Sequence, residues 1–298
     1  MKRNHLYIFF ILLFSSAHLF SQQGSSYSMF GLGDFSFSVS SGYEAMGGTS
    51  IAMPDNVAIN FLNPALWTQV NTTRLQAGYR FNQHFISDTR NNQLQNNGTI
   101  NSMSTVFMID TNKRIAASFG IYPSTRINYY VKNIFTIVDG SEVSQGQSEY
   151  QGQGGLSTIY LGLASRVWGP IFAGATFLGN FGSAYYNNKV EYFDIYNYST
   201  YYQKKDNFSG IGFKFGLYSQ LPRGFSIGAY FEKNNTIDIE RQQGYGSDLV
   251  SDTLIYSNAS INAPKKFGVG VGFKTGKFQF GGDFNYLVIS DLNYNSTD

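Results

Sequence analysis

The sequence predicts an all-β protein, an antiparallel transmembrane β-barrel preceded by an N-terminal hatch or plug segment. Three observations predict it: apolar residues recur at every second position, connectors alternate between long and very short, and a basic and apolar leader comes first. Successive side chains of a strand point to opposite faces of its sheet, so a period of two indicates a wall with one apolar face. Lipid on the outer face of a barrel gives this pattern.

The alternation is clearest near the end of the sequence. Phe267, Val269 and Val271 alternate with glycines, and a second apolar series follows from Phe278 to Val288. We count nine such segments, of which 100–109 is the poorest and is assigned as a strand mainly by its position in the series. They are residues 75–82, 100–109, 115–122, 159–167, 171–177, 210–217, 225–232, 267–274 and 278–288.

The lengths of the connectors indicate which end of each strand faces the periplasm and which faces outward. Four of them have hairpin length, namely those around Thr111–Lys113, Gly169–Pro170, Leu221–Gly224 and Thr275–Lys277. The other links are long and polar, as expected of outer loops opposite short periplasmic turns. A secreted soluble β-sandwich would also alternate, but it gives no reason for connectors to alternate in length.

Composition favours an exported membrane protein. Residues 1–21 read as a cleaved signal peptide, with Lys2 and Arg3 before an apolar stretch too short for a membrane helix. Aromatic residues make up 17% and charged residues only 13% of the chain, whereas soluble domains carry about 25% charged residues. We therefore expect the outer membrane of a Gram-negative cell. Without the leader the formal charge is neutral, which gives no indication of nucleic acid binding.

The segment from residue 22 to 70 lacks the two-residue period. Asn63 and Pro64 predict the start of a short helical turn through Trp67, because Asn caps free amides and Pro fits the first helical position. The predicted organisation is therefore a signal peptide at 1–21, a hatch at 22–70 and an incomplete transmembrane barrel at 71–298.

The hatch carries several short motifs in a fixed order. They are Tyr27–Asp34, Ala45-Met46-Gly47-Gly48, Asp55-Asn56 and Asn63-Pro64-Ala65. In these motifs the chain resembles the FadL family of outer-membrane transporters for hydrophobic compounds, in particular its Bacteroidetes-type branch. The resemblance covers mainly residues 26–80. Gly47 and Gly48 taken alone would indicate only a turn.

The resemblance implies a barrel of fourteen strands with the hatch in its lumen and with Asn63, Pro64 and Ala65 packed against the wall. Nine strands would then mean a C-terminally truncated sequence, and a closed barrel of nine or ten strands is the alternative.

A break in the third strand is predicted between Gly120 and Pro123, because proline removes a ladder donor. By the resemblance, this break would be a lateral gate through which an apolar ligand leaves. The alternative is that Pro123 marks only the rim of the barrel.

Candidate ligand-binding residues are Arg80, Arg166 and Lys214 inside the lumen and Tyr185 and Tyr186 in an outer loop from Ser183 to Asp206. The cations could hold a carboxylate. Alternatively they pair with luminal acids such as Glu232 and Asp283, and the tyrosines form an aromatic belt.

We expect no enzyme activity, no cofactor and no metal site. His84 is the single histidine after the leader, no serine is placed to serve it, and the chain has no cysteine.

The function expected from these observations is passive uptake of long-chain fatty acids or other hydrophobic small molecules. Its partners would be outer-membrane lipid, the apolar ligand and a protein at the extracellular loops. The alternative is a non-transporting barrel that acts as a scaffold or as an accessory of type IX secretion.

Overall fold

The structure is a computed structural model that describes residues 26–29, 31–36, 40–87, 92–139, 142–193, 198–249, 253–288 and 294–297. It confirms the all-β prediction. The strands are β1 (Asp34–Phe35), β2 (Arg74–Ser87), β3 (Asn92–Asp110), β4 (Ile115–Pro123), β5 (Thr125–Asp139), β6 (Glu142–Trp168), β7 (Ile171–Tyr192), β8 (Thr200–Gln220), β9 (Phe225–Asn234), β10 (Thr236–Ser247), β11 (Thr253–Asn262), β12 (Lys265–Thr275), β13 (Phe278–Val288) and β14 (Tyr294–Thr297).

Helical structure is short. A one-turn α-helix, α1, spans Ser41–Glu44, and 3-10 turns span Ser26–Met29, Pro64–Gln69 and Pro222–Gly224. None of the helices in the described residues has the length and apolar character that crossing a membrane would need.

Among the described residues, strands β2 to β14 form nine wall strands, in agreement with the nine predicted segments. Four wall strands are each divided into two segments. Three of them are β4 with β5, β9 with β10, and β11 with β12. The fourth is β13 with β14, which pair with β12 and β11 respectively and so lie along one neighbouring wall strand. The division of β11 from β12 falls at Ala263-Pro264, where proline cannot donate to a ladder.

All neighbouring wall strands are antiparallel, in the order β13-β12-β9-β8-β7-β6-β4-β3-β2. β2 and β13 stand at the two ends of this series, and within the described residues no ladder joins them. The wall is therefore an open sheet in this structure.

The outer face of the wall carries the apolar residues of the two-residue period. Phe215 on β8 is 54% exposed and Leu161 on β6 is 63% exposed, and the equivalent positions on the other wall strands behave alike. We call this belt of exposed apolar side chains the lipid band. Exposed apolar surface of this extent suits contact with lipid.

Above the lipid band the strands continue, which corrects the prediction of long outer loops. β6, β7 and β8 have 27, 22 and 21 residues, and the predicted loop from Ser183 to Asp206 is largely strand. Polar residues occupy the outward positions there, as Gln203 and Lys205 do on β8. The two-residue period disappears because the outward positions are no longer apolar, while inward residues such as Phe208 remain buried and the backbone ladder continues.

The four short connectors were predicted correctly. The turn after Asp110 is fixed by its side chain, whose Oδ1 accepts from the backbone N–H groups of Asn112 at 2.8 Å and Lys113 at 3.0 Å. Gly169 and Gly276 have positive φ angles of 49° and 56°, which favour glycine in tight turns.

The inner face of the wall is covered by the segment from residue 40 to 70, here called the plug. Buried plug residues such as Ile59 and Trp67 pack with Tyr160 and Leu178 of the wall in one apolar cluster. A second cluster joins Leu32 to inward residues of the tall strands, including Ile127 and Phe208. The core of the protein thus lies between wall and N-terminal segment.

Candidate functional site

The centre of the plug is the turn at Asn63 and Pro64, as the sequence predicted. Asn63 caps the 3-10 turn, because its Oδ1 accepts from the N–H of Ala65 at 3.1 Å, and Pro64 is the first residue of the turn. The Asn63 Nδ2 donates to the carbonyl of Ile51 at 2.8 Å and to that of Leu217 on β8 at 2.9 Å. One buried amide therefore joins two plug segments to the wall.

Asn60 organises the same turn from the other side. Its Oδ1 accepts from the N–H of Asn63 at 2.7 Å, and its Nδ2 donates to the carbonyl of Ser50 at 2.7 Å. Its own carbonyl accepts from the Trp67 indole N–H at 2.7 Å. Trp67 stacks on Tyr160 of β6 with ring centroids 5.8 Å apart. The plug is thus internally rigid and anchored by an aromatic contact.

A row of inward glycines makes room for the plug. A Cβ added at Gly174 would lie 2.7 Å from the carbonyl carbon of Pro64, and one at Gly216 would lie 2.6 Å from Pro64 Cδ. Gly174 and Gly216 oppose each other on β7 and β8. We call the following residues the glycine row, since each would clash with the plug if it carried a Cβ: Gly162, Gly174, Gly216, Gly228 and Gly270.

A second line of contacts holds the plug segment 50–52. Asp283 on β13 accepts from the N–H groups of Ser50 at 2.6 Å and Ile51 at 2.9 Å. The hydroxyl of Ser226 on β9 donates to the carbonyl of Ala52 at 2.7 Å. The plug therefore binds wall strands on both sides of the Asn63 turn.

Three charged residues on adjacent strands form a buried row, here called the ion row. Lys214 on β8, Glu232 on β9 and Lys266 on β12 are directly opposite in the ladders. The Lys214 ammonium lies 2.8 Å from Glu232 Oε2, and the Lys266 ammonium lies 3.3 Å from Oε1. Lys214 also donates to the carbonyl of Phe61 at 2.9 Å and to the Tyr122 hydroxyl at 3.1 Å. The ion row thus bonds the plug to the wall.

The ion row continues sideways as a chain of neutral hydrogen bonds. Asn234 donates to Glu232 at 3.2 Å and accepts from Asn180 at 2.9 Å, and the Thr158 hydroxyl donates to Asn180 at 2.6 Å. Ser124 is hydrogen-bonded to Thr158. A polar layer therefore crosses the inner wall from β6 to β12 at one level.

Gly47 and Gly48 form a turn after α1. Their φ angles are 70° and 83°, and the N–H of Gly48 donates to the carbonyl of Tyr43 at 2.8 Å. Burial raises the pKa of the Tyr43 hydroxyl well above its usual range, so this group stays a neutral donor, and it binds the carbonyl of Met53 at 3.1 Å. This placement is a structural role for the two glycines.

The predicted ligand-binding residues do not converge on one place. Arg80 pairs with Glu44 of α1, and Lys214 belongs to the buried ion row. Arg166 is exposed near the short turns, Tyr185 faces outward, and Tyr186 is buried with the Lys204 ammonium 3.9 Å above its ring. No shared pocket for a carboxylate arises from these five side chains.

The wall strand formed by β4 and β5 is interrupted at Ser124, next to the predicted break. The ladder between β3 and β4 ends at the pair Met103 and Ile121, and a cleft of about 540 Å³ lies beside it. The residue after Pro123 bonds across the wall, since the Ser124 N–H donates to the carbonyl of Leu156 at 2.8 Å. The break exists, whereas its use as a gate has no support in these contacts.

The described residues can also be compared with the predictions for a metal site and for His84. No group of three or more His, Cys, Asp or Glu side chains is placed to hold a metal ion there. The side chain of His84 lies outside the described residues.

Sequence reasoning missed the glycine row and the bonds made by Ser226 and Asp283. A signal for the glycine row was present, because glycine fills inward positions on several successive strands. Glycine at such positions often indicates close approach of another backbone. Nothing in the sequence indicated the bond of Ser226, since a single inward serine is common on such strands.

An antiparallel wall that is apolar outside and filled inside by its own N-terminal segment defines a plugged, barrel-like outer-membrane protein. The chain belongs to the BamG family, whose description, BamG, matches residues 1–298. The BamG family is associated with the outer membrane, as the predicted localisation requires. No curated protein and no solved structure is similar enough to the chain to count as a match.

Membership in BamG overturns the FadL assignment, because BamG is a different family. The resemblance covered mainly residues 26–80, which include the plug and the start of β2, and it did not identify the family. The expected uptake of fatty acids is wrong for the same reason. The expectation of fourteen strands and a lateral exit for ligand depended on that resemblance and loses its basis.

Proposed function

We propose that this chain is a non-transporting outer-membrane scaffold that takes part in the assembly of outer-membrane proteins. The BamG family is related to β-barrel assembly, and the match over residues 1–298 supports a role of this kind. The proposal assigns no catalytic residue and no cofactor. The structural observation that carries it is the attachment of the plug to the wall.

The attachment uses hydrogen-bonding groups on three wall strands and close contacts on three more. Lys214 and the carbonyl of Leu217 on β8, Ser226 on β9 and Asp283 on β13 all bond the plug, and the glycine row includes residues of β6, β7 and β12. A buried polar group left without its partner costs about 1–3 kcal/mol. Displacing the plug would break these bonds together, which favours an interior that stays filled.

A filled interior leaves the outer surfaces for contact with partners. β6, β7 and β8 rise above the lipid band and are joined there by β5, β10 and β11. This extension offers a broad sheet on the side away from the short turns, with polar and apolar side chains exposed on it. We propose that protein partners bind there, and that lipid surrounds the lipid band below it.

We also propose that residues 1–21 are removed during export. A basic start followed by an apolar stretch and small residues before Gln22 supports this cleavage. Sequencing the N-terminus of the protein from outer-membrane fractions should give Gln22. A start at Met1 would contradict the proposal.

The function is tested by depleting the protein and measuring the folded amounts of unrelated β-barrel proteins in the outer membrane. We expect these amounts to fall while lipoproteins stay constant. Unchanged barrel levels would contradict the assembly role.

A disulfide lock separates a scaffold from a channel with a moving hatch. The chain has no cysteine, so the double variant Ile51→Cys, Gly270→Cys forms at most one disulfide. A Cβ at Gly270 would lie 2.8 Å from Ile51 Cβ, so a small shift reaches the roughly 3.5–4.5 Å that a disulfide needs. We expect the oxidised variant to support barrel assembly as well as its reduced form does. Loss of assembly on oxidation alone would show that the plug must move.

A further inference from the structure

One strand of the extension has an open side. β5 pairs with β6 along its length and with the short β1 at Thr125 and Arg126. β3 is the wall strand beside β4 and β5, and within the described residues its segment from Asn92 to Ser102 pairs with β2 alone. Within the described residues, no strand is paired with the upper part of β5 on the side away from β6.

The lower end of this open side is covered by the chain itself. Asp34 of β1 pairs with Arg126, and the N–H of Ser36 donates to the carbonyl of Ser124 at 2.9 Å. The Ser28 hydroxyl bonds both the N–H and the carbonyl of Asn128, each at 3.2 Å. An extended segment therefore already adds to β5 from this side.

The backbone of β5 offers further hydrogen-bonding groups on the same side between Asn128 and Asp139. In an antiparallel pair, every second residue directs both its N–H and its carbonyl away from the partner strand. Asn128 does so, and the register with β6 continues unshifted to Asp139. The backbone groups that face the open side are therefore those of Tyr130, Lys132, Ile134, Thr136 and Val138. We call the segment from Tyr130 to Val138 the β5 edge.

The β5 edge is apolar. Ile134 and Val138 are 69% and 67% exposed, Ile137 is also exposed, and Lys132 is the one charged residue. Exposed edge strands are usually protected by charges, proline or bulges, because unpaired apolar edges recruit other strands. These protections are largely missing here, which indicates that the edge is normally paired.

The β5 edge lies outside the lipid band, on the side of the wall away from the short turns. Tyr130 pairs with Gln151 on β6, whereas the lipid band of β6 lies at Ile159 to Val167. The edge therefore stands above the lipid band, where a strand of another protein can reach it without entering the plugged interior.

We propose that the β5 edge binds an extended strand of another polypeptide by β-strand addition, continuing the pairing that β1 begins at Arg126. Backbone hydrogen bonds would supply the affinity, and apolar side chains at alternate positions would pack on Ile134 and Val138. That the strand belongs to another outer-membrane protein rests on the proposed function, whereas the binding of a strand does not.

The test uses the full chain purified in detergent and a fluorescent peptide of alternating threonine and valine, as long as the β5 edge. We expect saturable binding by anisotropy and slowed amide exchange within 130–138. Thr136→Pro removes one edge donor while the ladder with β6 stays intact, and Ile134→Lys places a charge at the edge. Each should weaken binding about tenfold. Leu254→Lys, at an exposed apolar position of β11, is the matched control and should bind as the unchanged protein does.

Three outcomes would overturn the inference: no binding by the unchanged protein, equal binding by all variants, or a dimer that Thr136→Pro converts to a monomer. The last would assign the edge to a second copy of the chain. Peptide binding together with unchanged barrel levels on depletion would reject the assembly role and retain the edge site.

Discussion

Lys214 and Glu232 face each other across the ladder of β8 and β9, and their side chains are 4% and 6% exposed. Their charged atoms are 2.8 Å apart, and Lys266 approaches the same carboxylate at 3.3 Å from the other side. One buried carboxylate is thus shared by two ammonium groups. Because Lys214 also bonds the carbonyl of Phe61, the stability of the wall and the position of the plug are linked at this point.

Replacing Glu232 by Gln should destabilise the protein strongly. The change leaves Lys214 and Lys266 close together in the interior without a compensating negative charge. Removing one partner of a buried ion pair costs about 3–5 kcal/mol. The free energy of unfolding, measured by urea titration in detergent micelles, should fall by this amount.

The control for this variant is Glu240→Gln on β10, where the side chain is exposed. Loss of an exposed charge should change the free energy of unfolding by less than about 0.5 kcal/mol. Equal effects of the two substitutions would show that the ion row does not stabilise the fold.

Asn63→Asp tests the amide that joins the plug to the wall. The aspartate keeps the acceptor that caps Ala65 but removes the donor used by the carbonyls of Ile51 and Leu217. Two buried carbonyls without a donor should cost about 2–5 kcal/mol. Limited proteolysis should then cut the plug faster than in the exposed control Asn56→Asp. A plug as resistant as before would contradict the anchoring role.

Gly216→Ala should loosen the plug although it adds a single methyl group. The new Cβ would lie 2.6 Å from Pro64 Cδ and would also clash with Asn63 Oδ1, so plug and wall must separate. Overpacking of this kind costs about 1–3 kcal/mol. Gly282→Ala on β13 is the matched control, because its Cβ would meet no atom within 4 Å. Thermal unfolding midpoints that fall equally in both variants would show that Gly216 is not a contact site.

The wall could be predicted from the sequence wherever its two faces meet different surroundings. Lipid outside and plug inside give Phe213, Phe215 and Leu217 a clear alternation with the residues between them. Above the lipid band the outward positions of β8 are polar and the alternation is lost, so the sequence predicts a loop where the structure has the upper half of β8. In this upper half, β8 is a strand because its backbone pairs with that of β7, and such pairing cannot be read from a single sequence.

The plug could be predicted at its turn but not in its contacts. Asn63 and Pro64 carry a local signal, since capping depends on neighbours in the chain. The bonds from Asn63 to Leu217 and from Lys214 to Phe61 join residues more than 150 positions apart, which no local pattern specifies. The same distinction explains the wrong family: a capped turn solves a packing problem, and it does not determine what the protein binds.

Phe215→Arg tests whether the apolar outer face is the surface in contact with lipid. Phe215 points outward in the middle of the lipid band and is 54% exposed. An arginine facing lipid near the bilayer midplane costs about 2–4 kcal/mol. Gln203→Arg, which also points outward from β8 but above the lipid band, should cost less than about 1 kcal/mol. The free energy of unfolding from lipid vesicles should be measured for both variants. If the two variants are equally stable, the lipid band has been placed wrongly, whereas a large difference fixes the depth of β8 in the membrane.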